Sequence, residues 1–125
     1  MPKSVFLSYV YQDKSSRDYV ARWFASEHLG PERVMITESE DLRQQGERAI
    51  ENHLKPLIRG AAAVLCIIGQ NTHNSSWVEY ELDVATSLNK LIVLARLPGT
   101  SGAAPPRYHH LSIVPLDPST LRKLI

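Results

Sequence analysis

The chain has 125 residues, 43% of them hydrophobic and 22% charged, which suits one soluble globular domain over residues 1–125 with a core of its own. Fourteen basic residues against thirteen acidic ones leave a net charge of +1, so no electrostatic attraction to nucleic acid or to a membrane surface is expected. The single cysteine excludes an intrachain disulfide framework and a cysteine zinc cluster, and no apolar run reaches the roughly 18 residues of a membrane span. The opening MPKSVFLSY reads as a strand rather than a secretory leader, so a cytoplasmic location is expected.

SVFLSYV (4–10) is a short apolar run with β-branched and aromatic residues, and reads as a buried strand. DKSSRDYVARWFASEHLG (13–30) reads as a helix with Ser15 or Ser16 as N-cap, Gly30 and Pro31 as stop signals, and Tyr19, Val20, Trp23 and Phe24 as the inward stripe. RVMIT (33–37) is a second strand, followed by ESEDLRQQG (38–46), a polar loop of high charge density that is expected to be mobile and to lie over a site. ERAIENHLKPLI (47–58) carries Ile50, Leu54, Leu57 and Ile58 at helical spacing, with Pro56 expected to kink or shorten the last turn. AAAVLCIIG (61–69) is apolar on both faces, as a central parallel strand must be, and makes Cys66 a small core hydrophobe.

SSWVEYELDVA (75–85) reads as a helix with an anomaly. With Trp77 at zero and about 100° per residue, Val78, Val84, Ala85 and Leu88 form the apolar side, and Glu79 and Asp83 fall at roughly 200–240°. Glu81 lands at about 40°, inside the apolar stripe, where a carboxylate needs either a partner or a task. A buried ion pair with Arg43 or Arg48 and a functional role both answer that need. KLIVLARL (90–97) is a fourth strand and PGTSGAAPP (98–106) a proline- and glycine-rich loop. LSIVPL (111–116) is a short fifth strand, and DPSTLRKLI (117–125) a terminal helix with Asp117 as N-cap and Pro118 at its first position. The five histidines show no metal-ligand spacing apart from the adjacent His109 and His110, and read as surface residues, so no metal site is expected.

Strands alternating with helices imply an α/β fold of flavodoxin-like, three-layer, doubly wound type, with five mainly parallel strands in the order 2-1-3-4-5. Ligands of such sheets bind outside the carboxyl ends of the strands. Here those ends are Ser8 to Asp13, Thr37 to Gly46 and Gly69 to Trp77, and Glu81 is one turn into the helix that starts at that rim.

Two stretches resemble TIR (Toll/interleukin-1 receptor)-like domains. VFLSYVYQDK is similar to the family's opening strand and loop, and in IIGQNTHNSSWVEYEL the residues Ser75, Trp77, Glu81 and Leu82 match the family's third strand, loop and helix position by position. The IG-x-N-T lead-in and the tryptophan–valine pair look closest to the TIR-like proteins of the bacterial Thoeris anti-phage system. Val78 replaces the cysteine that often follows the tryptophan, and Val10 replaces the basic residue of plant members.

The resemblance implies an enzyme that consumes NAD+ as a substrate, with no cofactor, by breaking the bond between nicotinamide and ribose. It implies a cyclic ADP-ribose-type signal for a downstream effector protein, assembly through TIR–TIR contacts, and a loop 38–46 that gates the site. In that reading Glu81 is catalytic. Trp77 and Tyr9 offer flat surfaces for nicotinamide or adenine, and Ser8, Thr37 and Asn71 hydrogen-bond ribose or phosphate. Tyr9, Val10, Tyr11 and Trp77 wall a pocket that excludes water and favours cyclisation. Two other readings compete: a catalytically silent TIR adapter that works by homotypic assembly, and a nucleoside deoxyribosyltransferase-like enzyme on a similar fold. A phosphorelay receiver fails because FLSYV and CIIGQ lack the aspartates it needs, and redox use of NAD fails because the GxGxxG fingerprint is absent.

Overall fold

The computed structural model describes residues 3–10, 14–29, 33–36 and 54–125. Strands β1 (Lys3–Ser8), β2 (Arg33–Ile36), β3 (Ala63–Ile68), β4 (Leu91–Arg96) and β5 (Ile113–Pro115) form one sheet in the order β2-β1-β3-β4-β5. Every neighbouring pair is parallel, from Lys3↔Arg33 at one edge to Arg96↔Pro115 at the other. This is the topology expected from the alternation of strands and helices. Helices α1 (Lys14–Ala25), α2 (residues 54–59), α3 (Ser76–Ser87) and α4 (Pro118–Leu124) flank the sheet.

The sheet is covered on both faces because its central strand is apolar on both: all six residues of β3 are buried. Side chains alternate along each strand, so the two faces feed separate cores. Val5, Leu7, Leu65, Ile67, Val93 and Ala95 pack with Val20 and Phe24 of α1 and Leu121 of α4. Phe6, Val64, Cys66, Ile68 and Leu94 pack with Leu54 and Ile58 of α2 and with Val78, Leu82 and Ala85 of α3. The second of these layers carries the candidate site.

Three local expectations are corrected. Helix α1 already runs from Lys14, so Ser15 and Ser16 lie inside it rather than capping it. Tyr19 is 59% exposed, with the Arg22 guanidinium 4.5 Å from its ring centroid, and the inward stripe narrows to Val20, Phe24 and the half-buried Trp23. Two short 3-10 turns, Thr72–Asn74 and Pro106–Tyr108, fall in stretches read as loop. The terminal helix is as expected: Asp117 caps it by accepting the Ser119 N–H at 3.1 Å, and Pro118 follows.

Candidate active site

Helix α3 starts at the rim formed by the carboxyl ends of the strands. Ser75 is its N-cap, and the serine side chain accepts the Val78 N–H at 3.1 Å. From there the helical period buries Val78, Leu82, Val84 and Ala85 against the sheet. Glu81 is carried inward with them and is 0% exposed, as its place in the apolar stripe demands. Glu79 is only half-buried. Asp83 sits on the outer flank, where Arg107 donates to it at 2.9 Å and the Tyr108 hydroxyl also donates. The burial of Tyr108 and its bond to that carboxylate push the phenol up to about 12.

The Ser8 hydroxyl donates to Glu81 Oε1 at 2.9 Å, and Ser8 is itself 0% exposed. Ser8 is the last residue of β1 and stands opposite Cys66 of β3 in the parallel register. Burial pushes the Cys66 thiol well up, the Glu81 charge pushes it the same way, and the Ser8 hydroxyl opposes them. Three polar side chains from β1, β3 and α3 therefore meet at the carboxyl end of the two central strands. Cys66 was missed as a member of this group by reasoning on the sequence. The available signal was its place on β3, the strand that any inward residue of the following helix must cover.

The other candidate residues divide by face. Val5, Leu7 and Tyr9 point to the α1 layer, and Phe6, Ser8 and Val10 to the α3 layer. Tyr9 is 1% exposed, and its hydroxyl accepts from Arg17 Nη1 at 3.1 Å. It is a core residue of the opposite layer, not a wall beside Glu81, because neighbouring residues of a strand face opposite ways. Val10 packs on the Glu81 side. Trp77 is half-buried, four residues before Glu81 on the same helix, and so one turn nearer the rim. Asn71 is exposed at the head of the Thr72–Asn74 turn. Tyr11, Thr37, Arg43, Arg48 and the loop 38–46 lie outside the described residues.

The rim behind the site is tightly held. The Gly69 N–H donates to Thr72 Oγ1 at 2.8 Å, and the buried Thr72 hydroxyl lies 3.4 Å from the Ile67 carbonyl that accepts it. The proline- and glycine-rich loop closes on the same place: Ser101 N–H donates to Gln70 Oε1 at 3.2 Å, and Arg96 Nη2 donates to the Gly102 carbonyl at 3.0 Å. Gly102 approaches so closely that a Cβ there would lie 1.9 Å from the Gly69 carbonyl oxygen.

Chemically this is one buried carboxylate with a hydroxyl donor, and the other acids of α3 are turned away from it. Among the described residues no second carboxylate faces it as in the pair of an O-glycosidase. Among the described residues no group of three or more His, Cys, Asp or Glu side chains is placed to hold a metal ion, and no helix is long and apolar enough to cross a membrane.

The family model described as Thoeris protein ThsB, TIR-like domain, matches residues 6–102 of the chain. No curated protein matches it. Among solved structures, a 2-desoxiribosyltransferase from Leishmania mexicana is similar with a TM-score of 0.66 at 14% identity, over 90% of this chain and 90% of that one. The TIR domain of the Toll-related receptor TRR-2 from Hydra magnipapillata gives 0.60 at 10% identity, over 95% and 88%. The TIR domains of the activated Roq1 resistosome, which directly recognises the pathogen effector XopQ, give 0.53 at 17% identity; the match covers 75% of this chain and 57% of that one. At these identities the likeness shows a shared fold.

Proposed function

Because this chain belongs to the family of Thoeris ThsB TIR-like domains, we propose that it cleaves NAD+ at the N-glycosidic bond between nicotinamide and ribose. The observation that carries this reading is Glu81, fully buried at the carboxyl end of the sheet and bonded by Ser8. Nicotinamide leaves from a cationic state and departs neutral, so no acid has to protonate it. One carboxylate is enough to stabilise the oxocarbenium-like ribose that remains, and its effect is large where water is excluded.

In this reading NAD+ is the substrate and no cofactor takes part. Val10 and Trp77 lie toward the Glu81 side as pocket lining, Asn71 is at the rim for ribose or phosphate, and Tyr9 has no place in the lining. Capture of the ribosyl cation by the substrate's own adenine gives a cyclic ADP-ribose isomer, which serves as the signal to an effector protein in anti-phage defence. Copies of the domain assemble through TIR–TIR contacts. A second reading, transfer of deoxyribose between bases, is supported by the fold shared with the Leishmania mexicana 2-desoxiribosyltransferase. It needs the same single carboxylate against an N-glycosidic bond.

Incubation of the purified chain with NAD+, and separately with a deoxynucleoside and a free base, followed by mass spectrometry, discriminates the readings. Nicotinamide with a cyclic ADP-ribose isomer is the expected outcome. Linear ADP-ribose alone removes the cyclase step and leaves the cleavage; base exchange alone moves the assignment to deoxyribosyl transfer. No turnover of either substrate by concentrated, assembled protein leaves the silent adapter. Glu81→Gln abolishes nicotinamide release in a folded protein, and Glu79→Gln leaves it unchanged; the reverse pattern refutes the assignment to the inward face.

A further inference from the structure

Ser8 carries a role different from the substrate contact that the sequence suggests. Its hydroxyl is fully buried and turned onto Glu81 Oε1 at 2.9 Å, across 73 residues of chain. Its backbone ends β1 and is paired with Cys66 of the central strand β3, so the sheet fixes where the hydroxyl stands. Glu81 enters the layer in which Phe6, Val64, Val78, Leu82 and Ala85 form an apolar core. In such surroundings a carboxyl group drifts toward its neutral acid unless a donor stabilises the charged form.

We propose that Ser8 is the positioning residue of Glu81: its hydrogen bond fixes the carboxylate's rotamer and keeps the carboxylate ionised inside an apolar layer. This rests on the proposed NAD+ cleavage, since it assigns to Ser8 the state in which Glu81 must be held to stabilise a ribosyl cation. Among the described residues, few titratable groups lie near the pair. Cys66 of β3 stands beside Ser8, and its raised thiol remains neutral and adds no charge. Arg96 at the end of β4 is engaged with the Gly102 carbonyl. Lys55 and Arg59 of α2 are exposed, and Glu79 and Asp83 of α3 lie on other faces of that helix.

The test compares the wild-type chain with Ser8→Ala, Ser8→Cys and Ser8→Thr, measuring kcat and KM for NAD+ against pH and following the Glu81 side-chain carboxyl by 13C NMR. Loss of a hydrogen bond to a charged group moves the acid limb of the kcat profile, and the NMR titration with it, upward by about one pH unit or more. In Ser8→Ala kcat at neutral pH falls by about tenfold or more while KM changes by less than about twofold. Ser8→Cys keeps the volume but offers only a weak donor, so it shifts the same way and replaces the alanine variant if that fails to fold. Ser8→Thr, which retains the hydroxyl, restores the acid limb. A raised KM with unchanged kcat makes Ser8 a substrate contact and overturns the proposal, as does an unmoved acid limb. If the wild-type chain releases no nicotinamide, the cleavage reading fails, and the NMR titration decides the positioning role alone. An identical Glu81 titration in wild type and Ser8→Ala overturns it, and an upward shift in the variant supports it.

Discussion

Gly102→Ala tests whether the rim of the site is as close-fitting as its geometry implies. The added Cβ would lie 1.9 Å from the Gly69 carbonyl oxygen, 2.8 Å from the Gly69 carbonyl carbon and 2.9 Å from the Gln70 Cα. All three are backbone atoms, so no rotamer change relieves the clash. To restore a carbon–oxygen contact of roughly 3.3 Å the two segments must separate by about 1.4 Å. That motion loosens the Arg96–Gly102 bond at 3.0 Å and the Ser101–Gln70 bond at 3.2 Å. Overpacking of this kind costs about 1–3 kcal/mol, and losing a bond from a guanidinium adds about 1.5 kcal/mol or more. The sum, about 2.5–4.5 kcal/mol, lowers Tm by roughly 10–20 °C in a domain of this size. Thermal unfolding followed by circular dichroism measures it. Gly60→Ala is the control, because its nearest neighbour would be the Pro56 carbonyl oxygen at an ordinary 3.6 Å. A Gly102→Ala protein melting within about 2 °C of wild type refutes the close packing of this loop on the end of β3.

Tyr9→Phe removes the hydroxyl that accepts from Arg17, and is expected to destabilise by about 1 kcal/mol in urea unfolding while leaving nicotinamide release unchanged; lost turnover in a folded variant would return Tyr9 to the site. Cys66 is expected to resist iodoacetamide at pH 8 in the native chain, since burial and the Glu81 charge keep its thiol protonated; rapid labelling without unfolding refutes that environment. The bonds from Thr120 and Ser119 hold the Asp117 carboxyl below its ordinary 3.8. Because the folded value is depressed, the cap's contribution is complete above about pH 4 and is lost as pH falls through the folded value. The protection factors of the α4 amides should therefore fall only in acid below about pH 4, and a loss of protection already between about pH 7 and pH 5 contradicts the cap.

Much of the site was legible because its signals are local. The inward place of Glu81 follows from the helical period and its nearest neighbours, all within one short stretch of chain. The Asp117 cap and the parallel strand order follow in the same way from turn chemistry and from the alternation of strands with helices. What the sequence could not supply are pairings across the sheet. Ser8 and Cys66 are neighbours through register, and Ser8 and Glu81 meet only because α3 folds back over β1 and β3. The face of Tyr9 was equally hidden, since an apolar run bound for a sheet covered on both sides carries no mark of which residues look which way. Gly102 needed its glycine for a contact with Gly69, 33 positions earlier, that no loop composition announces. The sequence by itself determined that a glutamate is buried beside the rim, because periodicity is a property of a few consecutive residues. Only the tertiary structure decided what holds that glutamate, because a hydrogen bond between distant strands and helices exists only once the sheet has set their spacing.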